Sequence, residues 1–268
     1  EKPVGDETMK PVWGENVKVA MVGHVAVVTF DRPPNNHVSV DMMRDLADCL
    51  EAVDAGRQAR AIVLQAEGKN FCAGADFTTP GDSVAGGMGG ISELYNQAVR
   101  LFSIETTIVA AVQGAAVGAG LGLALVADFR VASPDAKFSA NFVKLGFHPG
   151  FGLTHTLPRA IGAHRASLMF LTGRRVKAQE GLPWGLVDEV APLEDLREAA
   201  LRLATEIAEN ALLALLATRR TMRGELAAAV RNQTAHEHIQ QTALRATDDF
   251  NEGVRSVAER RPGNFTWS

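Results

Sequence analysis

Hydrophobic residues near the N-terminus first alternate with polar ones and then change to a helical spacing. Residues 17–21 and 25–30 alternate around a short polar break, and this period of two predicts a β-hairpin. Beyond it, apolar side chains recur every three or four residues up to about Ala55, which predicts an amphipathic helix. Ser39 or Asp41 stands where this helix would begin, and either side chain can cap its first N–H groups.

Strand and helix patterns alternate through the middle of the chain. Short continuous apolar runs predict buried strands, and longer runs with helical spacing predict helices. Such alternation is typical of an α/β fold with layered sheets and helices. The predicted strands are 61–65, 108–112, 129–132, 137–139 and 187–190, and the predicted helices are 91–104, 119–126, 153–161 and 163–171.

The last part of the chain carries helical spacing only. We therefore divide the chain into a flexible N-terminal tail at 1–12, an α/β core at 13–192 and a helical C-terminal region at 193–268 that serves assembly. A second flexible stretch is expected at the glycine-rich residues 81–90. The helices predicted in the C-terminal region are 196–207, 211–222 and 240–257.

Composition and charge narrow the classes of protein. The 268 residues are 46% hydrophobic, enough for a large buried core, and the formal net charge is -4. The chain has no basic stripe, so we expect no nucleic-acid partner. The longest apolar stretch, 108–127, is interrupted by Gln113 and several glycines, and we expect it to form core and no membrane span. Two cysteines and no apolar signal segment favour a cytoplasmic location over a disulfide framework.

Two segments rich in glycine and alanine follow predicted strands. The first is 71–77, and the second, 113–123, leaves a strand and opens the helix predicted at 119–126. Small residues let a ligand approach the backbone, and a helix N-terminus adds unpaired N–H groups and the positive end of its dipole. Such segments can bind a phosphate or a developing oxyanion. The alternative is that the glycines only allow close packing of strand on helix.

A dinucleotide site is a second functional interpretation of the glycines. Gly118, Gly120 and Gly122 resemble a Gly-x-Gly-x-x-Gly fingerprint, but the third glycine comes one position early. No acidic residue ends a strand at the spacing that would hold a ribose, since Asp128 precedes its strand. A nicotinamide-dependent oxidoreductase is therefore a hypothesis of a different class, which the spacing does not favour.

Further short motifs occur in a fixed order between about residue 14 and residue 265. Together with the two glycine segments they resemble the crotonase, or enoyl-CoA hydratase/isomerase, family. The motifs are Arg32-Pro33 with Asn35-Asn36, 71–76, 113–124, Asp128-Phe129-Arg130, Lys137-Phe138-Ser139, 146–152, Leu171-Thr172-Gly173, 185–188, Glu252-Gly253, Glu259-Arg260-Arg261 and Phe265.

The resemblance implies a spiral of ββα turns followed by a helical region that assembles a homotrimer or a dimer of trimers. It implies an acyl-CoA thioester as substrate, with coenzyme A as part of that substrate, no tightly bound cofactor and no metal. The N–H groups of Ala75 and Ala119 would form the oxyanion hole, although relatives often have glycine at the second position. Ala73, Asp76 and Arg260 fall at positions assigned to coenzyme binding, and Arg260 either contacts the coenzyme phosphates or is a solvated surface arginine.

The chain departs from the family pattern where hydratases carry their acid and base. The two glutamate positions fall at Gly122 and Phe142, and a third position, often Asp in relatives, falls at Phe151. None of these side chains can move a proton, so we do not expect the two-glutamate hydration mechanism. Isomerase, hydrolase or lyase chemistry stays open, as does a catalytically weak protein that only binds acyl-CoA. We expect all three positions, with His148, to line the substrate pocket.

Few other titratable groups stand near the family motifs. Tyr95 either carries the proton or only lines the pocket, and His37 either borders the coenzyme or is a plain loop residue. His155 and Glu93 are expected to be structural and solvent-exposed respectively. Cys72, beside the first glycine segment, is expected to be a small buried hydrophobic residue and no nucleophile.

Overall fold

The computed structural model describes residues 12–77, 84 and 87–268. The predicted tail lies outside the described residues except for Val12, which begins the first strand. Within the described residues, no helix combines the length and the apolar character needed to span a membrane.

Ten strands form two sheets. Seven of them form one sheet in the order β1-β2-β3-β4-β5-β7-β10, in which β1, β2 and β3 are antiparallel neighbours and the rest are parallel. The other three form a small sheet in the order β6-β8-β9. The strands are β1 (Val12–Trp13), β2 (Val17–Val22), β3 (Val25–Phe30), β4 (Ala61–Ala66), β5 (Thr107–Val112), β6 (Ala115–Val117), β7 (Phe129–Ala132), β8 (Lys137–Ser139), β9 (Arg175–Lys177) and β10 (Glu189–Val190).

Helices cover both faces of the large sheet and continue to Ala258. The described residues also contain two short 3₁₀ helices, Asn141–Leu145 and Leu182–Trp184. The α-helices are α1 (Val40–Gly56), α2 (Met88–Phe102), α3 (Ala119–Val126), α4 (Leu153–Ile161), α5 (Ala163–Thr172), α6 (Ala178–Gly181), α7 (Leu196–Ala208), α8 (Leu212–Arg223), α9 (Leu226–Arg245) and α10 (Asp248–Ala258).

Successive turns of the chain explain the two sheets. The chain leaves β5 in the large sheet, pairs through β6 in the small sheet and enters α3, and β7 and β8 repeat the step. Every residue of β4 and β5 is buried, as expected for parallel strands with helices on both faces. The prediction of an α/β spiral with a helical C-terminal region is confirmed.

Two buried clusters flank the large sheet. The larger one lies between the sheet and α1, α2, α3 and α4, and it extends to α9 and α10. The smaller one packs α7 against the opposite face, with Val63, Val109 and Val131 meeting Ala200 and Ala204. The first helix of the C-terminal region is therefore part of the wall of the sheet, and the assembly role of the region stays a prediction.

Several predicted bounds need correction. Helix α2 begins at Met88, so three residues of the stretch predicted as flexible are helical; packing overrides the low helix propensity of Gly89 and Gly90. The helix predicted at 240–257 covers the end of α9 and most of α10, which are separate helices. Thr247 begins the second by accepting from the N–H of Phe250. The small strands β6 and β9 are not predicted from the sequence.

Candidate active site

The two glycine segments lie side by side although about forty residues separate them. Cys72 and Ala116 form a parallel bridge between them. The N–H of Phe71 donates to the Gln113 carbonyl at 2.7 Å, and the N–H of Val117 donates to the Cys72 carbonyl at 3.1 Å. These bonds fix the backbone of the first segment against the start of the second.

Two glycines permit this close approach. A Cβ at Gly74 would lie 2.6 Å from the Val117 carbonyl oxygen, and Gly74 has a left-handed φ of 92°. The same Cβ position lies 3.9 Å from the amide nitrogen of Ala119. A Cβ at Gly120 would lie 2.1 Å from the Cys72 carbonyl oxygen. Any larger side chain at either position would force the two segments apart.

The amide groups of Ala75 and Ala119 meet at this junction. Helix α3 begins at Ala119, and its first intrahelical bond runs from the N–H of Gly122 to the Gly118 carbonyl. The Ala119 N–H therefore has no partner within the helix and lies at the positive end of the helix dipole. Among the described residues, no acceptor bonds the N–H of Ala75 or Ala119. The two N–H groups are thus available to a ligand oxygen.

Both alanines line a cavity of about 280 Å³. Side chains of α2, α9 and α10 also line the cavity, so the C-terminal region contributes to its wall. The wall is largely apolar, with polar groups at a few positions. The apolar side chains include Phe77, Leu94, Phe142, Phe147, Phe151 and Val254, and the polar ones are His37, Asp76, Tyr95, Asn141 and Gln241.

The three positions at which the family resemblance implies acid and base groups differ in their placement. Phe142 and Phe151 line the cavity, and both are buried. Gly122 lies behind the Phe151 ring, because a Cβ at position 122 would be 2.4 Å from Phe151 Cδ1. The ring therefore occupies the space that a side chain at 122 would need. His148 is not among the lining residues; its carbonyl accepts from Gln241 Nε2 at 2.8 Å.

Tyr95 reaches the cavity from α2 with its hydroxyl held on two sides. The hydroxyl donates to Gln241 Oε1 at 2.7 Å and accepts from the N–H of Phe151. Burial, with a contribution from the Glu237 charge, raises the pKa of Tyr95 well above its usual range. At neutral pH the hydroxyl therefore keeps its proton, which it donates to Gln241. A Cβ at Gly150 would collide with it, so the turn fits tightly around the phenol.

Glu237 on α9 supports the same turn from behind and is not predicted from the sequence. It accepts from the N–H of Gly152 at 2.7 Å and from the N–H and Oγ1 of Thr154 at 3.0 and 2.6 Å. Burial raises the pKa of Glu237 to about 7, against these hydrogen bonds, which lower it. The carboxyl caps the start of α4 and holds Phe151, whose φ is 62°.

The three residues proposed to contact the coenzyme lie at or near the cavity. Ala73 and Asp76 line the cavity, and Arg260 is exposed two residues beyond Ala258, which lines it too.

Burial raises the pKa of the Cys72 thiol to about 12, as expected for a small buried residue and not for a nucleophile. Glu93 and His155 do not line the cavity. Glu93 accepts from the Asn96 and Gln97 side chains, and His155 lies partly exposed on α4. The described residues contain no group of three His, Cys, Asp or Glu side chains placed to hold a metal ion.

An α/β spiral with two free backbone N–H groups at the wall of an apolar cavity defines a class of protein that can bind and polarise a carbonyl. Comparison with known proteins agrees. The family model for enoyl-CoA hydratase/isomerase matches residues 21–267. The chain is 35% identical to the probable enoyl-CoA hydratase of Rhodobacter capsulatus, over 90% of this chain and 94% of that protein. It is 31% identical to the 1,2-epoxyphenylacetyl-CoA isomerase of Escherichia coli, over 90% of this chain and 95% of that protein.

A solved structure is similar over most of the chain. The enoyl-CoA hydratase/isomerase from Pseudoalteromonas atlantica superposes with a TM-score of 0.82 at 29% identity, covering 94% of this chain and 100% of that one. The chain belongs to the enoyl-CoA hydratase/isomerase family.

Proposed function

We propose that the chain acts on an acyl-CoA thioester, with the N–H groups of Ala75 and Ala119 forming its oxyanion hole. The observation that carries the proposal is the close approach of Gly74 to Val117, which brings the two amides to one cavity wall. A thioester enolate or a tetrahedral intermediate places negative charge on the former carbonyl oxygen. Preorganised N–H donors stabilise such charge in a site from which water is largely excluded.

Hydration by two glutamates does not fit this cavity. Adding water to an enoyl thioester needs a base to activate the water and an acid to protonate the α-carbon. The Phe151 ring fills the space beside Gly122, and Phe142 occupies the second position with a ring that carries no proton site. Each missing group is worth roughly two to four orders of magnitude in rate. We therefore propose isomerase, hydrolase or lyase chemistry.

The acyl group is proposed to be apolar or aromatic. Phe77, Phe142, Phe147 and Phe151 surround the cavity, and apolar surface buried there stabilises an apolar acyl chain. Tyr95 is the proposed proton carrier because it lines the cavity; transfer of its proton to a substrate would break the hydrogen bond to Gln241 Oε1. The second candidate function is binding of acyl-CoA without turnover. It is favoured by the apolar residues at the three positions where the family resemblance implies acid and base groups.

Coenzyme contacts and assembly complete the proposal. Ala73 and Asp76 line the cavity beside the oxyanion hole, and Arg260 lies exposed beyond the end of α10, where an ionic contact with coenzyme phosphates is possible. The helical C-terminal region is proposed to assemble a homotrimer or a dimer of trimers, and light scattering of the purified protein tests this oligomeric state. The proposed location is the cytoplasm.

The hydratase claim is tested with crotonyl-CoA, followed by loss of enoyl-thioester absorbance. We expect turnover far below the value of about 10 per second that is typical of enzymes. A rate of that size would contradict the proposal. A panel of aromatic and aliphatic thioesters, analysed by mass spectrometry and thiol release, separates turnover from binding alone.

The oxyanion hole is tested with Ala119→Pro. Ala119 is the first residue of α3, where proline is tolerated because its missing N–H has no helical partner. The variant therefore removes one donor of the hole and places the proline Cδ where the hydrogen stood, while keeping the helix. We expect a loss of roughly 100- to 1,000-fold in kcat on any thioester of the panel that is turned over. Ala119→Val is the control for bulk on the side chain, since it keeps the N–H, and thioester affinity measured by calorimetry shows whether the proline ring blocks binding. Equal losses of kcat in both variants would contradict the hole.

A further inference from the structure

The His37 side chain contacts the peptide that carries one of the two oxyanion-hole donors. His37 Nδ1 lies 3.2 Å from the carbonyl oxygen of Gly74, and the N–H of Val38 donates to the same oxygen at 2.9 Å. The Gly74 carbonyl and the Ala75 N–H are the two ends of one planar peptide group. Hydrogen bonds to the oxygen therefore act directly on the N–H at the other end.

The hydrogen bond to Gly74 requires one tautomer of His37. A carbonyl oxygen can only accept, so in this bond Nδ1 carries the proton and donates it to the Gly74 oxygen. Among the described residues, Nε2 has no hydrogen-bond partner. The imidazole is half-buried and lines the cavity beside Ala75.

The loop that carries His37 is itself held in place. The His37 carbonyl accepts from Arg32 Nη1 at 2.9 Å, and the backbone N–H of Arg32 donates to Asn36 Oδ1 at 2.7 Å. The Asn36 amide in turn donates to the carbonyls of Glu67 and Asn70 at 2.7 and 2.8 Å. Such a network restricts the loop backbone, so the imidazole is presented to Gly74 from a fixed frame.

We infer that His37 is a positioning residue that strengthens the oxyanion hole through the Gly74–Ala75 peptide. The inference rests on the proposed function. Donation to the Gly74 oxygen polarises the amide and makes the Ala75 N–H a stronger donor, because chains of hydrogen bonds reinforce one another in a low-dielectric site. The same contact resists rotation of the peptide plane, which keeps the N–H aimed at the cavity.

The test uses two variants of the full chain that separate the ring from the donor. His37→Phe keeps an aromatic ring and removes the N–H, and His37→Asn places an amide donor near the position of Nδ1 without the ring. The probe is 3-phenylpropanoyl-CoA labelled with ¹³C at the thioester carbonyl. It is a saturated thioester that cannot be hydrated, and a thiol-release assay establishes that it is not hydrolysed during the measurement. Isotope-edited infrared spectroscopy reports how strongly its bound carbonyl is polarised.

We expect the wild-type chain to lower the carbonyl stretching frequency, His37→Phe to reverse part of that change, and His37→Asn to retain it. For any thioester that is turned over, kcat in His37→Phe should fall roughly two- to eightfold. This range corresponds to 10–30% of the activation free energy that one oxyanion-hole donor contributes. KM should stay nearly constant, since the contact strengthens as charge develops. Calorimetry establishes that each variant binds the thioester, and circular dichroism establishes that each variant is folded.

Three results are decisive. A His37→Phe frequency equal to that of the wild type overturns the inference. Equal changes in His37→Phe and His37→Asn also overturn it, because the ring and not the N–H would then matter. A wild-type chain that binds the thioester without lowering its carbonyl frequency instead contradicts the oxyanion hole itself, so the two failures are distinguishable.

Discussion

The contact between Gly122 and Phe151 makes Gly122→Ala a destabilising substitution although it replaces glycine within a helix. The added Cβ would lie 2.4 Å from Phe151 Cδ1 and 2.8 Å from Cγ, well inside normal van der Waals contact. Overpacking of this kind costs about 1–3 kcal/mol, while alanine in a helix interior returns up to about 1 kcal/mol. The expected net loss of stability is about 1–2 kcal/mol.

The Phe151 ring cannot easily move away. It is fully buried, its backbone is left-handed with a φ of 62°, and the turn is fixed on one side by Tyr95 and on the other by Glu237. The strain must therefore appear as lost stability, measured as a melting temperature lowered by roughly 2–8 °C in thermal unfolding followed by circular dichroism. Gly89→Ala is the matched control, because a Cβ on this exposed helical glycine meets no atom within 4 Å. It should be neutral or slightly stabilising.

A double-mutant cycle tests the physical cause. Phe151→Ala alone should cost about 3–5 kcal/mol through the cavity that it leaves. In that background most of the cost of Gly122→Ala should disappear, since the ring is gone and only the contact with the retained Cβ of residue 151, at 3.0 Å, remains. Equal destabilisation by Gly122→Ala in both backgrounds would refute the reasoning. Confirmation would also mean that a glutamate can be restored at position 122 only after Phe151 has been made smaller.

Three further predictions concern the cavity wall and the coenzyme contact. Tyr95→Phe should lower the free energy of unfolding by about 1–3 kcal/mol, because Gln241 loses its donor; unchanged stability in chemical denaturation would contradict this. Burial raises the pKa of Glu237 from 4.5 to about 7, so the folded chain binds this proton more tightly than the unfolded chain. Stability should therefore rise by up to about 3 kcal/mol as pH falls from about 8 to 5, and Glu237→Gln should remove the trend in a pH series of unfolding curves. Arg260→Ala should weaken binding of an acyl-CoA roughly two- to fivefold at low salt and less at high salt in calorimetry, whereas Arg202→Ala, an exposed arginine on α7, should have no effect.

Local sequence signals account for much of the fold. Helices α3 and α4 have the bounds predicted for them because glycines with positive φ, Gly118 and Gly152, come directly before each helix. The hairpin of β2 and β3 follows from alternation, and the Ser39 cap on α1 from side-chain chemistry. Each of these features is decided by neighbours in the chain, which a single sequence displays.

Features that depend on distant residues were not predictable in the same way. Glu237 bonds Gly152 across 85 positions, and nothing around either residue signals the partner. The strand β6 exists only because Cys72 and β8 pair with it. The positions of Ala75 and Ala119 could be assigned by resemblance to a family, but their common cavity and the ring behind Gly122 are tertiary facts.

The donors proposed at Ala75 and Ala119 belong to the main chain, whereas the cavity around them is made of side chains. Substitution of almost any side chain leaves an amide N–H in place. Acid and base side chains can therefore be lost while the N–H groups proposed to polarise the carbonyl remain. A new reaction can then arise from one or two substitutions in the wall, without rebuilding the charge-stabilising part. For an engineer, libraries at Phe142 and Phe147 would explore chemistry while Gly74 and Gly120 are kept fixed.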